Sequence, residues 1–129
     1  MTKVLDVGTK VTYGMNYDPV IIRRYVGGKH GGAVLDVSDY TEEYIKAGQV
    51  VIKDANGILK PMPITSGAYG TLPTGCSYYG IVVTTCLASE PLTGILTAGE
   101  VNDKCLPYDI STILTAFKAA VPTIVFDHD

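Results

Sequence analysis

The residues able to do chemistry in this chain are few. There are two histidines. His30 lies inside Gly27-Gly28-Lys29-His30-Gly31-Gly32, and His128 lies close to the end of the sequence. Four glycines around a lysine and a histidine suggest a phosphate cradle. A cradle, however, needs GxxxxGK[ST] or GxGxxG opening a helix, whose free N-terminal amides hold the anion. Neither pattern is present, and both flanks, PVIIRRYV (19–26) and AVLDV (33–37), are rich in β-branched residues. The stretch therefore reads as a mobile turn between two strands, with glycine permitting positive φ. No serine or cysteine nucleophile stands in a recognisable motif with either histidine, and no HExxH, calcium-loop or dinucleotide fingerprint occurs. Glu42 and Glu43 are adjacent, so on a helix they point in different directions and read as first-turn acids that favour the helix dipole. Cys76, Cys86 and Cys105 form an odd set without a CxxC pair or a histidine at ligand spacing, and read as reduced thiols in the interior. No catalytic residue, metal site or cofactor is expected.

The elements that would position these residues follow from apolar patterning. A chain of 129 residues, 47% hydrophobic and 18% charged, is long enough for one domain with its own core. Its net charge of −3 supplies no basic surplus for a nucleic-acid partner. No apolar run reaches signal-peptide or membrane-span length, so a cytoplasmic site of synthesis is expected. In SDYTEEYIKAG (38–48), Asp39 as cap, Glu42 three positions on and Gly48 at the end predict a short helix. QVVIKDANGILKPMPI (49–64) predicts strand, turn at Asn56-Gly57, strand. Pro61 and Pro63 force the second arm to end early or lie on an edge. TSGAYGTLPTGCS (65–77) reads as a long loop, Ile81-Val82-Val83 as a buried strand, and the region around Ala98-Gly99 as two short runs. Ile110, Ile113, Leu114, Phe117 and Val121 share one helical face, with Pro107 before, Asp109 or Ser111 as cap and Pro122 as the stop. Thr123 to Phe126 is a last strand that returns to the sheet. The expected fold class is α+β: a compact β-rich single domain with short strands, one short helix and one C-terminal helix. Nine tyrosines without a tryptophan suit either core and rim packing or a contact surface.

The order KAGQVVIKDANGILKPM, YYGIVV, LTAGEVNDKCLPYDISTILTAFKAAVPTIVF, from Ala47 to Phe126, resembles the lambda-type phage head decoration proteins. Gly80-Ile81-Val82, Ala98-Gly99-Glu100-Val101 and 120–125 are the positions to align first. Residues 14–46 are longer and more structured than that family's usual lead-in. The resemblance implies a non-enzymatic protein on the exterior of the virion head, a homotrimer at three-fold positions of the shell that binds the major capsid protein. It implies a capsid-binding arm at residues 1–18, with Val4, Leu5, Val7, Val11 and Tyr13 as its contacts, and a decoration domain at 19–129. Apolar groups on the loop Thr65 to Ser77, namely Tyr69, Leu72 and Pro73, would be buried between protomers. Two other readings stand beside it: a head fibre or its capsid-anchoring base, and a small ligand-binding domain with the glycine stretch as a lid.

Overall fold

The computed structural model describes residues 21–127; the expected arm and its contacts Val4, Leu5, Val7, Val11 and Tyr13 lie outside them. The sheet is built on the two most apolar stretches, Val50-Val51-Ile52 and Ile81-Val82, whose side chains are all fully buried. Strand β3 (Val50–Lys53) pairs antiparallel with β7 (Ser77–Val82) on one side and with β4 (Leu59–Pro61) on the other. β4 ends at Pro61 and forms one margin of the sheet, as the missing proline donors require. On the far side of β7 lies β9 (Leu92–Asn102), and beyond it β1 (Ile22–Val34), giving the order β1-β9-β7-β3-β4. β10 (Ile124–Asp127) runs parallel to β9, from Ile124 opposite Gly99 to Asp127 opposite Asn102. β1 occupies one side of β9 along its length, so β7 and β10 share the other. Two small pairs complete the order: β2 (Tyr44–Ile45) pairs β8 (Cys86–Leu87), and β5 (Ile64–Thr65) pairs β6 (Ala68–Tyr69).

Strand alternation sends the core to both faces of the sheet. On one face Val50, Ile52, Ile81, Leu96 and Ile124 meet helix α1 (Leu114–Ala120), whose Phe117 is fully buried. The Phe117 ring meets Tyr78 at 5.6 Å and Phe126 at 5.7 Å, both edge to face. Burying such a side chain contributes roughly 1.5–3 kcal/mol, so this contact anchors the helix. On the other face Val51, Val82 and Ile95 are covered by Leu35, Ile45 and Leu59. Residues 21–127 thus form a β-rich domain of mainly antiparallel strands, with the helix Leu114–Ala120 packed on one face.

Four local expectations change. The glycine stretch is not a turn between two strands: β1 runs through it as one strand of 13 residues. Its pairing with β9 shifts register four times, and a Cβ on Gly28 would overlap the Ile95 carbonyl oxygen. Glycine serves here to let two backbones approach and to absorb bulges. The region around Ala98-Gly99 is likewise one strand, because Gly99 takes a φ of +151° and lies against the Arg24 carbonyl, which lets β9 continue where a side chain would stop it.

The segment 38–48 forms no helix. Tyr40 donates its hydroxyl to the Tyr44 carbonyl (2.7 Å) and accepts from Gln49 Nε2 (2.9 Å), while Gln49 Oε1 accepts from Lys46 N–H (3.0 Å). Thr85 Oγ1 accepts from Ala47 N–H, Gly48 N–H donates to the distant Val82 carbonyl, and Gln49 N–H closes a turn on the Lys46 carbonyl. Local bonds from Tyr40 and Gln49 and long-range bonds to Thr85 and Val82 thus take up backbone groups that a helix would otherwise pair. Finally, α1 begins at Leu114, later than the apolar spacing predicts. Asp109 instead accepts from Ser111 N–H (2.9 Å) in a preceding turn, and Ile113 carries no side-chain cap.

Candidate docking site

Among the described residues, β1 has no strand on its outer side. A long sheet margin presents unpaired backbone groups and invites an added strand unless it is broken by bulges or charge. β1 is bulged, and it also displays Val26 and Val34 to solvent, at 62% and 71% exposure. Val34 lies directly opposite Leu92 on β9, which is 59% exposed, so the open end of this ladder is an apolar pair.

A third apolar group joins them from the β3–β4 turn. Asp54 Oδ1 accepts from the N–H groups of Asn56 (2.8 Å) and Ile58 (3.0 Å), and Asp54 N–H donates to the Ile58 carbonyl (3.0 Å). Both side-chain and backbone bonds thus lash the turn, and Ile58 is held out at 45% exposure. Val34 and Ile58 line one rim of an open depression of about 520 Å³, which Lys29, Ala33, Lys53 and Tyr79 complete. Two ammonium groups approach the ring of Tyr79: Lys29 Nζ at 6.0 Å and Lys53 Nζ at 5.6 Å from its centroid. This is the half of the second sheet face that the segment Leu35–Ile45 leaves uncovered. Chemically it offers apolar contact, two cations and an aromatic face, a combination suited to adhesion.

The expected trimer contacts separate from one another. Tyr69 is nine-tenths buried within its own chain; its hydroxyl accepts from Val50 N–H (3.0 Å), its ring meets Tyr108 edge to face at 5.6 Å, and burial drives its phenol far above the usual range. Leu72 is half-buried against the main core, and Pro73 lines a cavity of about 50 Å³ with Asp36, Ser38, Asp39 and Lys60. Only Leu72 and Pro73 retain surface to offer a second copy. β5 and β6, joined through Ser66 and Gly67 at φ of 53° and 77°, hold this loop as a tight hairpin with Tyr69 pointing inward.

The backbone of His30 lies in β1; its side chain, and all of His128, lie outside the described residues. The three cysteines are unpaired and half-buried, and burial raises the Cys86 thiol. Among the described residues no three His, Cys, Asp or Glu side chains group as metal ligands, and no helix is long and apolar enough to cross a membrane. Sequence patterning did not find Val34, Leu92, Ile58, Lys53 or Tyr79 as a group. Its nearest signal was Ile58 directly after the Asn56-Gly57 turn. Comparison with protein-family models, with curated proteins and with solved structures finds no match to this chain.

Proposed function

We propose that this chain is a non-enzymatic decoration protein of a phage head, which docks on the outer shell as a trimer and stabilises it by surface fit. The observation that carries the reading is the apolar pair Val34–Leu92, joined by Ile58, held exposed on paired strands and a lashed turn beside a sheet margin that no described strand covers. Apolar groups fixed in that position gain stability when a partner surface covers them. The order of sequence elements from Ala47 to Phe126, similar to that of lambda-type decoration proteins, supplies the kind of partner: the major capsid protein. Three attachments per trimer act at high effective concentration, so modest individual contacts suffice to hold the shell. Leu72 and Pro73 are the loop residues assigned to the contact between protomers, and Val4, Leu5, Val7, Val11 and Tyr13 to the shell.

The test is direct. Expanded empty heads mixed with the purified protein are expected to retain it on sedimentation. The double variant Val34→Asp, Leu92→Asp is expected to keep its fold by circular dichroism and to lose most of that binding. A chain lacking residues 1–11 is expected to keep its oligomeric mass and lose the shell. Undiminished binding by the aspartate variant would remove the apolar pair from the interface.

A further inference from the structure

Lys29 on β1 and Lys53 on β3 direct their ammonium groups to the same ring, Tyr79 on β7. Both are exposed, and neither has a carboxylate within ion-pair distance among the described residues. The nearest acid in sequence, Asp54, is turned to its own backbone turn, where its Oδ1 accepts from Asn56 and Ile58. In a chain of net charge −3, this leaves a small positive centre in an otherwise acidic protein. An exposed ammonium over an aromatic ring is weakly held and exchanges readily to a carboxylate, whose bond to it is charge-assisted. The apolar groups beside the cations, Val34 and Ile58, stand on the rim of the same depression.

We infer that this depression binds an acidic, extended segment of a partner protein, with its carboxylates on Lys29 and Lys53 and an apolar side chain between them against Val34 and Ile58. Charge complementarity selects the occupant: a basic or neutral segment would leave both ammonium groups unanswered. An extended segment presents every second residue to one side, so acid, apolar and acid at alternate positions would face the depression together. The positive centre also orients an approaching acidic surface toward the one part of the molecule where the apolar pair lies. The inference rests on the proposed docking role, and it adds the chemistry of the partner's contact segment.

The full chain, labelled with nitrogen-15, would be titrated with the blocked peptide Ser-Glu-Thr-Val-Thr-Glu-Ser and with its counterpart in which both glutamates are glutamine. The expected result is a set of amide shifts centred on Lys29, Ala33, Lys53, Ile58 and Tyr79. Two exposed ion pairs make the glutamine peptide weaker by about two- to thirtyfold, a preference that shrinks as salt is raised. The variant Lys29→Gln, Lys53→Gln alters two exposed side chains, so it should keep a dispersed spectrum while losing the preference. Equal binding of the two peptides, shifts centred elsewhere, a preserved preference in the variant, or no shift from either peptide at millimolar concentration would each overturn the inference. Sedimentation with expanded heads separates this from the docking role. Heads that hold the native chain and the lysine variant equally contradict the inference alone. Heads that hold neither, with the peptide preference intact, contradict the shell as partner and leave the acidic segment standing.

Discussion

Tyr69 and Tyr40 show how single hydroxyls hold this fold. Tyr69 gives the buried Val50 N–H its acceptor, so Tyr69→Phe leaves a strand donor unpaired in the core. A loss of about 1–3 kcal/mol in unfolding free energy is expected, measured as a lower urea midpoint at an unchanged slope. Burial also raises both phenols, Tyr40 to about 12 and Tyr69 further. A raised folded-state value means that the neutral phenol is favoured in the native chain. Stability is therefore fully present below about pH 10, the ordinary tyrosine value, and is lost as pH rises through the Tyr40 value near 12. Urea unfolding at pH 9 and pH 11 is expected to show a clear drop, smaller in Tyr40→Phe. An equal drop in that variant would show that Tyr40 is not among the groups responsible. Neither hydroxyl's role was legible in sequence, because the partners of Tyr69 and Tyr40 are chosen by how the sheet folds and not by local spacing.

At the scale of elements, β3, β7 and β10 were readable because each carries adjacent β-branched residues, and β4 because it follows the Asn56-Gly57 turn and ends where Pro61 demands. α1 was readable from the spacing of Ile113, Phe117 and Val121, although its first turn was lost to the Asp109–Ser111 bond. β1 was not readable, since glycines that signal a turn by composition serve here to bring two strands into close contact. That account makes a paired prediction. Gly28→Ala forces the β1 and β9 backbones apart at Ile95 and should cost about 1–3 kcal/mol. Gly27→Ala meets only the Ala98 methyl at 3.8 Å and should be nearly neutral. Thermal melts of the two variants check this, and equal melting temperatures would mean that the glycine stretch is not tightly paired. The helix expected over 38–48 failed for the opposite reason: its caps and acids were locally consistent, but the neighbouring Gln49 and the distant Thr85 and Val82 offered the backbone other partners.

For the whole molecule, the two faces of the sheet differ in completeness. One is closed by α1 and its aromatic cluster; the other is closed only in part, by the segment Leu35–Ile45, and its open half carries Tyr79, the two lysines and the exposed apolar rim. The proposed docking role gives that open half its occupant. None of this was legible from composition, because Val34 and Leu92 lie far apart in sequence and meet only through the β1–β9 register. The trimer assigned to Leu72 and Pro73 predicts a mass of three chains by light scattering at micromolar concentration, and a strictly monomeric mass would count against that contact. The most direct measurement is cryo-electron microscopy of expanded empty heads incubated with the protein. The account predicts added density at the three-fold positions of the outer shell, with the β1 margin and the Val34–Leu92 pair against the capsid protein. Bare three-fold positions at saturating protein would contradict it.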